Sequence, residues 1–353
     1  MPENYELSAK LLAWYDVSAR EFPWRIGPAE KRGGAISDPY AVWLSEIMLQ
    51  QTTTAAVEKY FAKFLSRWPR ISDLAAAADA EVMAAWAGLG YYARARSLLK
   101  CARMIASEFD GEFPGDKESL MTLPGIGPYT ASAIAAIAFD RPETVVDGNV
   151  ERVMSRMHAV TGPIAKAKRE LRRCAERLTP RQRPGDYAQA VMDLGATICK
   201  PRSPKCESCP WRLNCKAFSS GLQNRIPEKT TKARRPVRRG VVYVGIRQDG
   251  ALLLERRPET GLLGGMLGWP GCEWNDGEQA RPPCAGAWKD SGRTVQHAFT
   301  HFELQLRVVT GKMPENSIPQ QGAFVPAGEF NPADLPSVMR KVYEAAAPEL
   351  NLP

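Results

Sequence analysis

No stretch of this 353-residue sequence approaches the ~20 consecutive apolar residues that a membrane-spanning helix needs. Its opening residues, MPENYELSAK, lack the basic and apolar regions of a secretory leader. The expected compartment is therefore the cytosol, nucleoid-associated if the source is bacterial. Internal repeats and low-complexity tracts are also missing, which excludes a repeat architecture. Acidic residues fall short as well, at 39 Asp plus Glu against 47 Lys plus Arg, for a formal charge of +8. A basic chain of this kind invites a polyanionic partner, nucleic acid above all. Hydrophobic residues make up 44% and charged residues 24%, enough to bury a core throughout. The length suggests about two domains.

Composition places those domains. Through about residue 220, Ala and Leu abound and apolar positions recur at helical spacing in YELSAKLLAWYDV, AVWLSEIMLQQ, LAAAADAEVMAAWAGL and ARSLLKCARMIASEF. Asp38-Pro39 reads as the start of the helix that carries Glu46. Residues 225–239 hold seven Lys or Arg, one acid and two Pro, an extended cationic linker. Strand-like runs follow at 241–246, 251–256 and 303–309, then a short helix near 334–346. The expectation is a multi-domain chain: an all-α region over 1–220, a basic linker over 221–238, and a smaller α+β domain over 239–353.

Eight cysteines are present, and four of them cluster as C-x₆-C-x₂-C-x₅-C at Cys199, Cys206, Cys209 and Cys215. In a cytosolic chain such a cluster points to metal binding rather than disulfides. Four thiolates suit zinc or an iron–sulfur cluster. The unequal gaps differ from the paired spacing of common zinc ribbons and favour the cluster. Lys200, Arg202, Lys205, Arg212 and Lys216 surround these cysteines, so a metal-braced cationic loop would suit a phosphate backbone.

Three further features carry chemistry. Leu123-Pro-Gly-Ile-Gly-Pro-Tyr-Thr-Ala131 links two helical stretches, and Gly125 and Gly127 would leave backbone N–H groups open to an anion at a helix start. Asp147 opens another helix twenty residues after Gly127. There it is expected both as an N-cap and as a carboxylate able to stabilise positive charge at a sugar C1′. Glu46 shares a helix face with Val42, Trp43 and Gln50. A carboxyl in such apolar company can keep its proton. One acid and one anion would form an acid–base pair.

Taken together these motifs resemble the helix-hairpin-helix DNA glycosylases of the endonuclease III superfamily, and within it the adenine DNA glycosylases, the MutY family. The likeness runs through FPWR, WLSEIMLQQT, GLGYYARAR, LPGIGPYTA, VDGNVERV, the cysteines and the C-terminal domain. Bifunctional relatives place a Lys nucleophile where this chain has Tyr129, and the Lys found downstream of the Asp in some members is Glu151 here. The resemblance therefore implies a monofunctional enzyme that excises adenine opposite 8-oxoguanine or guanine in duplex DNA. It also implies a [4Fe–4S] cluster, no membrane association and a monomeric state.

The resemblance assigns Glu46 to protonating adenine N7 and Asp147 to stabilising or capturing the C1′ cation. Tyr129 would bond near Glu46, and Asn149 would orient water or the carboxylates. Gln189 and Arg25 would line the pocket for the flipped adenine. Gln51, Thr52, Leu89 and Tyr91 would wedge into the vacated stack. The C-terminal domain resembles a MutT-type (Nudix) fold. Its corresponding stretch, residues 265–284, lacks the Glu-rich helix that nucleotide hydrolysis requires. Phe299-Thr300-His301 stands where the family reads 8-oxoguanine through Phe-Ser-His, so the hydroxyl is kept and a methyl added.

Overall fold

The structure, a computed structural model, describes residues 2–228, 235–258, 261–274 and 281–352. It resolves into two compact units, residues 1–79 with 94–231, and residues 80–93 with 232–353. The expected linker includes residues 229–234, and the stretch replacing the Glu-rich helix includes 275–280; both segments lie outside the described residues. Among the described residues, no helix is long and apolar enough to cross a membrane.

The first unit is helical. Its elements are α1 (Pro2–Ser18), α2 (Pro28–Arg32), α3 (Pro39–Leu49), α4 (Thr54–Arg67) and α5 (Ile71–Ala76), then α6 (Asp79–Trp86), which runs into the second unit. After it come α7 (Ala93–Glu108), α8 (Lys117–Leu120), α9 (Pro128–Phe139), α10 (Gly148–Met157), α11 (Ile164–Leu178), α12 (Pro184–Thr197) and α13 (Lys216–Ser219). The helix expected over 74–89 is two helices, because Ala77 turns to extended backbone (ψ 147°) and is buried there. Elsewhere sequence chemistry sets the starts. Asp38 Oδ1 accepts from the Tyr40 N–H at 2.9 Å with Pro39 in the first turn, and Pro128 opens α9 after Gly127. Both α3 and α9 are buried along most of their length, and they pack on each other and, through α9, on α12. Glycine permits the tightest approaches. A Cβ at Gly195 would stand 2.6 Å from Asn149 Cβ, so only glycine lets α10 lie this close to α12.

The second unit is built on a sheet ordered β3-β2-β1-β5-β4, from β1 (Val237–Arg247), β2 (Leu252–Arg256), β3 (Leu267–Gly268), β4 (Ala287–Ala298) and β5 (Glu303–Met313). β6 (Ala323–Val325) also pairs with β2. β1 and β5 run parallel, Val237 opposite Glu303 through Arg247 opposite Met313, while the other pairs are antiparallel. Helix α14 (Ser337–Leu350) lays Val338, Met339, Val342 and Ala346 on one sheet face, against Val242, Val244, Leu304, Leu306 and Val308. Trp269 fixes the helix by donating from Nε1 to the Met339 carbonyl at 2.9 Å.

Candidate active site

A cavity of about 580 Å³ opens in the helical unit, large enough for a base with its sugar. It gathers residues that the sequence separates by more than a hundred positions: Arg25, Glu46, Gln51, Thr52, Tyr129, Asp147, Asn149 and Gln189 all line it. Gln50, Glu151 and Lys168 line it as well, and only the first two sat beside motif positions. Lys168 comes from the strongly basic helix α11, and nothing in its local pattern marks it out.

Glu46 is 8% exposed, on a helix whose Val42, Trp43, Leu44, Ile47 and Met48 are also buried. Burial pushes its carboxyl up to about 7 from the ordinary 4.5; the Tyr129 hydroxyl and the Arg25 cation oppose that rise, and the Asp147 charge adds to it. Tyr129 itself donates to Met192 Sδ at 3.8 Å, a weak acceptor that leaves the phenol responsive to Glu46. Burial, with the charges of Glu46 and Asp147 added, holds the Tyr129 hydroxyl protonated far beyond its usual range.

Asp147 is the N-cap of α10. One oxygen accepts from the Val150 N–H at 2.7 Å, the other from Asn149 Nδ2 at 2.9 Å. Asn149 is held in turn, because Arg152 Nη2 donates to Asn149 Oδ1 at 2.8 Å and to the Gly195 carbonyl at 2.7 Å. Arg152 Nε then reaches the Cys199 carbonyl at 2.8 Å, so a chain of hydrogen bonds links the carboxylate to the first cysteine. Beside the carboxylate, burial raises the Glu151 carboxyl while Lys168 counteracts it.

The pocket's outer wall is pinned by charge. Asp193, fully buried, accepts from the Arg20 backbone, from Arg20 Nε at 2.6 Å and from Arg25 Nη1 at 2.9 Å. This pair explains the FPWR motif: Arg25 faces Glu46 because Asp193 holds it there. Arg94, within GLGYYARAR, donates to the carbonyls of Ile47 and Met48 and, at 3.0 Å, to Thr52 Oγ1. It thereby closes the end of α3 and fixes the loop that carries Gln51 and Thr52. Gln189 is 1% exposed and donates to the Gly185 carbonyl at 3.4 Å.

Of the hairpin motif, Tyr129 lines the cavity while Gly125 and Gly127 lie outside its lining. Gly125 has φ +81°, and a Cβ there would stand 2.8 Å from Ser97 Cβ, so two independent constraints require glycine. Gly127 is extended and caps α9 without a side chain, leaving first-turn N–H groups uncovered at an exposed surface.

The four clustered cysteines are half-buried, in a loop with two short 3₁₀ turns between α12 and α13. Their charges act on one another, and burial pushes the Cys209 thiol up to about 12. Arg156, 2% exposed, donates to Cys199 Sγ at 3.2 Å and to the Lys200 carbonyl at 2.7 Å. Among the described residues, no three Cys, His, Asp or Glu side chains converge as ligands of one ion.

In the second unit, Phe299, Thr300, His301 and Phe302 form the turn between β4 and β5, with Phe299 N–H bonded to the Phe302 carbonyl at 2.9 Å. Thr300 and His301 are exposed, and the Tyr91 hydroxyl lies 2.9 Å from Thr300 Oγ1. Leu89 is buried, while Tyr91 is 50% exposed with a left-handed backbone, φ +50°.

Comparison with known proteins places the fold in a family. Residues 44–181 match the HhH-GPD superfamily of base excision DNA repair proteins, and residues 241–345 match the NUDIX domain. A thermostable thymine-DNA glycosylase superposes with TM-score 0.53 at 29% identity, covering 60% of this chain and 95% of that one. An endonuclease III structure shares the fold at TM-score 0.50 and 24% identity, covering 61% of this chain and 95% of that one. The fold and the cavity thus define a helix-hairpin-helix DNA glycosylase, an enzyme that hydrolyses N-glycosidic bonds in base excision repair. The adenine DNA glycosylase of Homo sapiens is 34% identical over 94% of this chain and 72% of its own length. That of Mycolicibacterium smegmatis is 42% identical over 60% of this chain and 70% of its own. The chain belongs to the adenine DNA glycosylase family, and adenine in DNA is what it removes.

Proposed function

We propose that this protein acts on adenine paired with 8-oxoguanine or guanine, as a monomeric and monofunctional glycosylase that leaves an abasic site. The observation that carries the chemistry is the pairing of Glu46 and Asp147 in one cavity, each acting on the other electrostatically. A carboxyl poised near 7 is a good proton donor at neutral pH. Glu46 donates to adenine N7, the purine departs as a neutral base, and Asp147 faces the cation left at C1′. Asn149 positions Asp147 and the attacking water, and Tyr129 restrains Glu46. Gln189 and Arg25 bound the base. Gln51, Thr52, Leu89 and Tyr91 occupy the gap left by flipping. Gly125 and Gly127 present N–H groups to a phosphate. Tyr129 in the hairpin and Glu151 after the Asp supply no nucleophilic amine, which supports hydrolysis without strand scission.

Cys199, Cys206, Cys209 and Cys215 fit a [4Fe–4S] cluster. Four free, half-buried cysteines on one loop, with the buried Arg156 guanidinium donating to Cys199 Sγ at 3.2 Å, are a donor set of the all-thiolate kind such a cluster takes. When bound, the cluster would brace a loop rich in Lys and Arg against the DNA backbone. Thr300 keeps the hydroxyl needed to read the lesion opposite adenine, with Phe299 and His301 beside it. A cytosolic location, with the DNA, accompanies this reading.

The test is a glycosylase assay on duplexes with adenine opposite 8-oxoguanine, guanine, cytosine or thymine, with and without alkali. Alkali-dependent breaks confined to the first two support the proposal. Breaks without alkali, or equal cutting of all four, overturn it.

A further inference from the structure

The turn that carries Thr300 and His301 is held by a column of stacked side chains, of which only Phe299 belongs to a motif named above. Phe299 and Phe302 continue the β4–β5 ladder beyond Ala298 and Glu303, so their side chains lie on one face. Their rings stack at 4.9 Å and 28°. Trp274 stacks on Phe299 at 6.2 Å and 27°, and His297 stands edge-on to Phe299 at 4.7 Å. Each end is closed by a cation: the Arg257 guanidinium lies 4.4 Å above Trp274, and that of Arg238 lies 4.3 Å above Phe302. The order is therefore Arg257, Trp274, Phe299, Phe302, Arg238.

Three of these residues come from separate elements. Arg257 follows β2, where its Nε donates to the Leu262 carbonyl at 3.2 Å and its N–H to the Met266 carbonyl at 2.9 Å. Trp274, 6% exposed, belongs to the loop after β3, and Arg238 to β1. A hydrophobic core alone would account for Trp274 and Phe302. It does not require the partly buried Arg257 guanidinium over Trp274, since Arg heads ordinarily stay in water, nor that the exposed Arg238 lie on the face of Phe302.

We infer that Arg257, Trp274 and Arg238 are positioning residues for lesion discrimination: their column fixes Phe299 and Phe302, and so sets where Thr300 and His301 point. The inference rests on the proposal that this turn reads 8-oxoguanine. One backbone hydrogen bond closes this four-residue turn and does not by itself fix the direction of the two exposed polar residues at its tip. Stacked rings supply it, because their offset geometry is directional and a cation above each end adds electrostatic attraction. The Tyr91 hydroxyl bonded to Thr300 then meets a tip whose direction is already set.

Two measurements on the full chain test this. The first is the ratio of single-turnover rates for adenine opposite 8-oxoguanine and opposite guanine. The second is amide hydrogen exchange in the 299–302 turn, with β5 as internal reference. For Arg257→Ala the ratio should fall about threefold, the effect of losing one partly exposed cation–π contact, and turn amides should exchange faster than those of β5. Arg257→Lys should restore both, and Arg238→Ala, a change at an exposed strand residue, should act in the same direction. Parallel losses on both duplexes with faster exchange throughout β5 would reduce the column to core packing and overturn the inference. So would unchanged turn exchange in Arg257→Ala and Arg238→Ala. A wild-type ratio of one, with turn exchange still rising in these variants, would sink the lesion-reading proposal while leaving the column as what holds the tip.

Discussion

The catalytic cavity and the β4–β5 turn both hold a few polar side chains in place, and they differ in which kind of contact predominates. Around the cavity most anchors are hydrogen bonds of charged or amide groups, Asp193 with Arg20 and Arg25, Asp147 with Val150 and Asn149, Arg152 with Gly195 and Cys199, although Arg20 and Arg25 also lie over the Phe22 ring. Around the turn the anchors are rings and the faces of rings. The difference fits the tasks proposed for the two regions. Stabilising a cation requires fixed charges and dipoles aimed at one atom, which hydrogen bonds specify to tenths of an ångström. Presenting a hydroxyl to a base edge, the task proposed for Thr300, requires direction more than charge, and stacked rings supply direction. Substitutions in the first region should therefore cost orders of magnitude in rate, and those in the second should change selectivity by small factors.

The largest effect expected is that of Asp147→Asn. Asn is as good an N-cap as Asp, so α10 should persist and the duplex should still bind. The negative charge facing C1′ is gone, and single-turnover excision should fall by ~10³-fold. A rate within tenfold of wild type would remove Asp147 from the chemistry. Next is Glu46→Gln, which cannot donate a proton and should lose roughly 10²-fold in rate. In the parent enzyme the acid form is present below about pH 7, so the rate should decline as pH rises through 7.

The same residue makes a prediction for stability with its own sign. Glu46 holds its proton to about 7 in the folded protein and releases it near 4.5 when unfolded. Between those values the folded state binds more protons, so stability falls as pH rises from 4.5 to 7, and the loss is complete above 7. Gln has no such loss. At pH 8, Glu46→Gln should thus be more stable than the parent by about 3 kcal/mol, as read by denaturant unfolding. Inactive yet stabilised at pH 8, and no more stable than the parent at pH 4, is the signature of a buried general acid. A variant equally stable at both pH values would mean Glu46 is not buried as described.

How much of this could be read beforehand depended on distance along the chain. Asp38-Pro39, Asp147 and Gly127-Pro128 were legible because caps act over two or three residues. The face shared by Glu46, Val42 and Trp43 was legible because helical spacing is local. Strand β4 was not: it is an edge strand with nearly every residue at least partly exposed and an irregularity between Asp290 and Thr294, so no alternation marks it. The break at Ala77 was hidden too, because an Ala-rich run has the propensity to continue as helix. Contacts between remote residues left no local signal at all. Asp193 bonds Arg25 from 168 positions away, Lys168 enters the cavity from another helix, and Arg257 meets Trp274 only because the sheet folds them together.

A smaller effect should come from the chain of hydrogen bonds that joins the cavity to the cysteine loop. Arg152→Leu leaves Asn149 Oδ1 and the carbonyls of Gly195 and Cys199 without this donor. The rate at saturating enzyme should drop by about tenfold and the melting temperature should fall, since each unmatched acceptor costs ~1–3 kcal/mol. If melting falls but the rate per folded molecule does not, Arg152 supports the fold alone, and the charged anchoring of Asp147 is less strict than its geometry suggests.

The smallest effect sharpens the comparison most, because it tests direction rather than size. The Tyr129 hydroxyl opposes the rise that burial imposes on Glu46. Its other partner, Met192 Sδ, is weak, so Tyr129→Phe leaves little unmatched and should cost only a few-fold in rate at neutral pH. Yet without the hydroxyl, Glu46 should hold its proton to a higher pH, and the declining limb of the rate profile should move upward. A restraint that acts through charge must shift that limb; a ring that merely fills space would lower the rate at every pH alike. A limb that stays in place would make Tyr129 a spacer, held and used as the rings beneath the β4–β5 turn are.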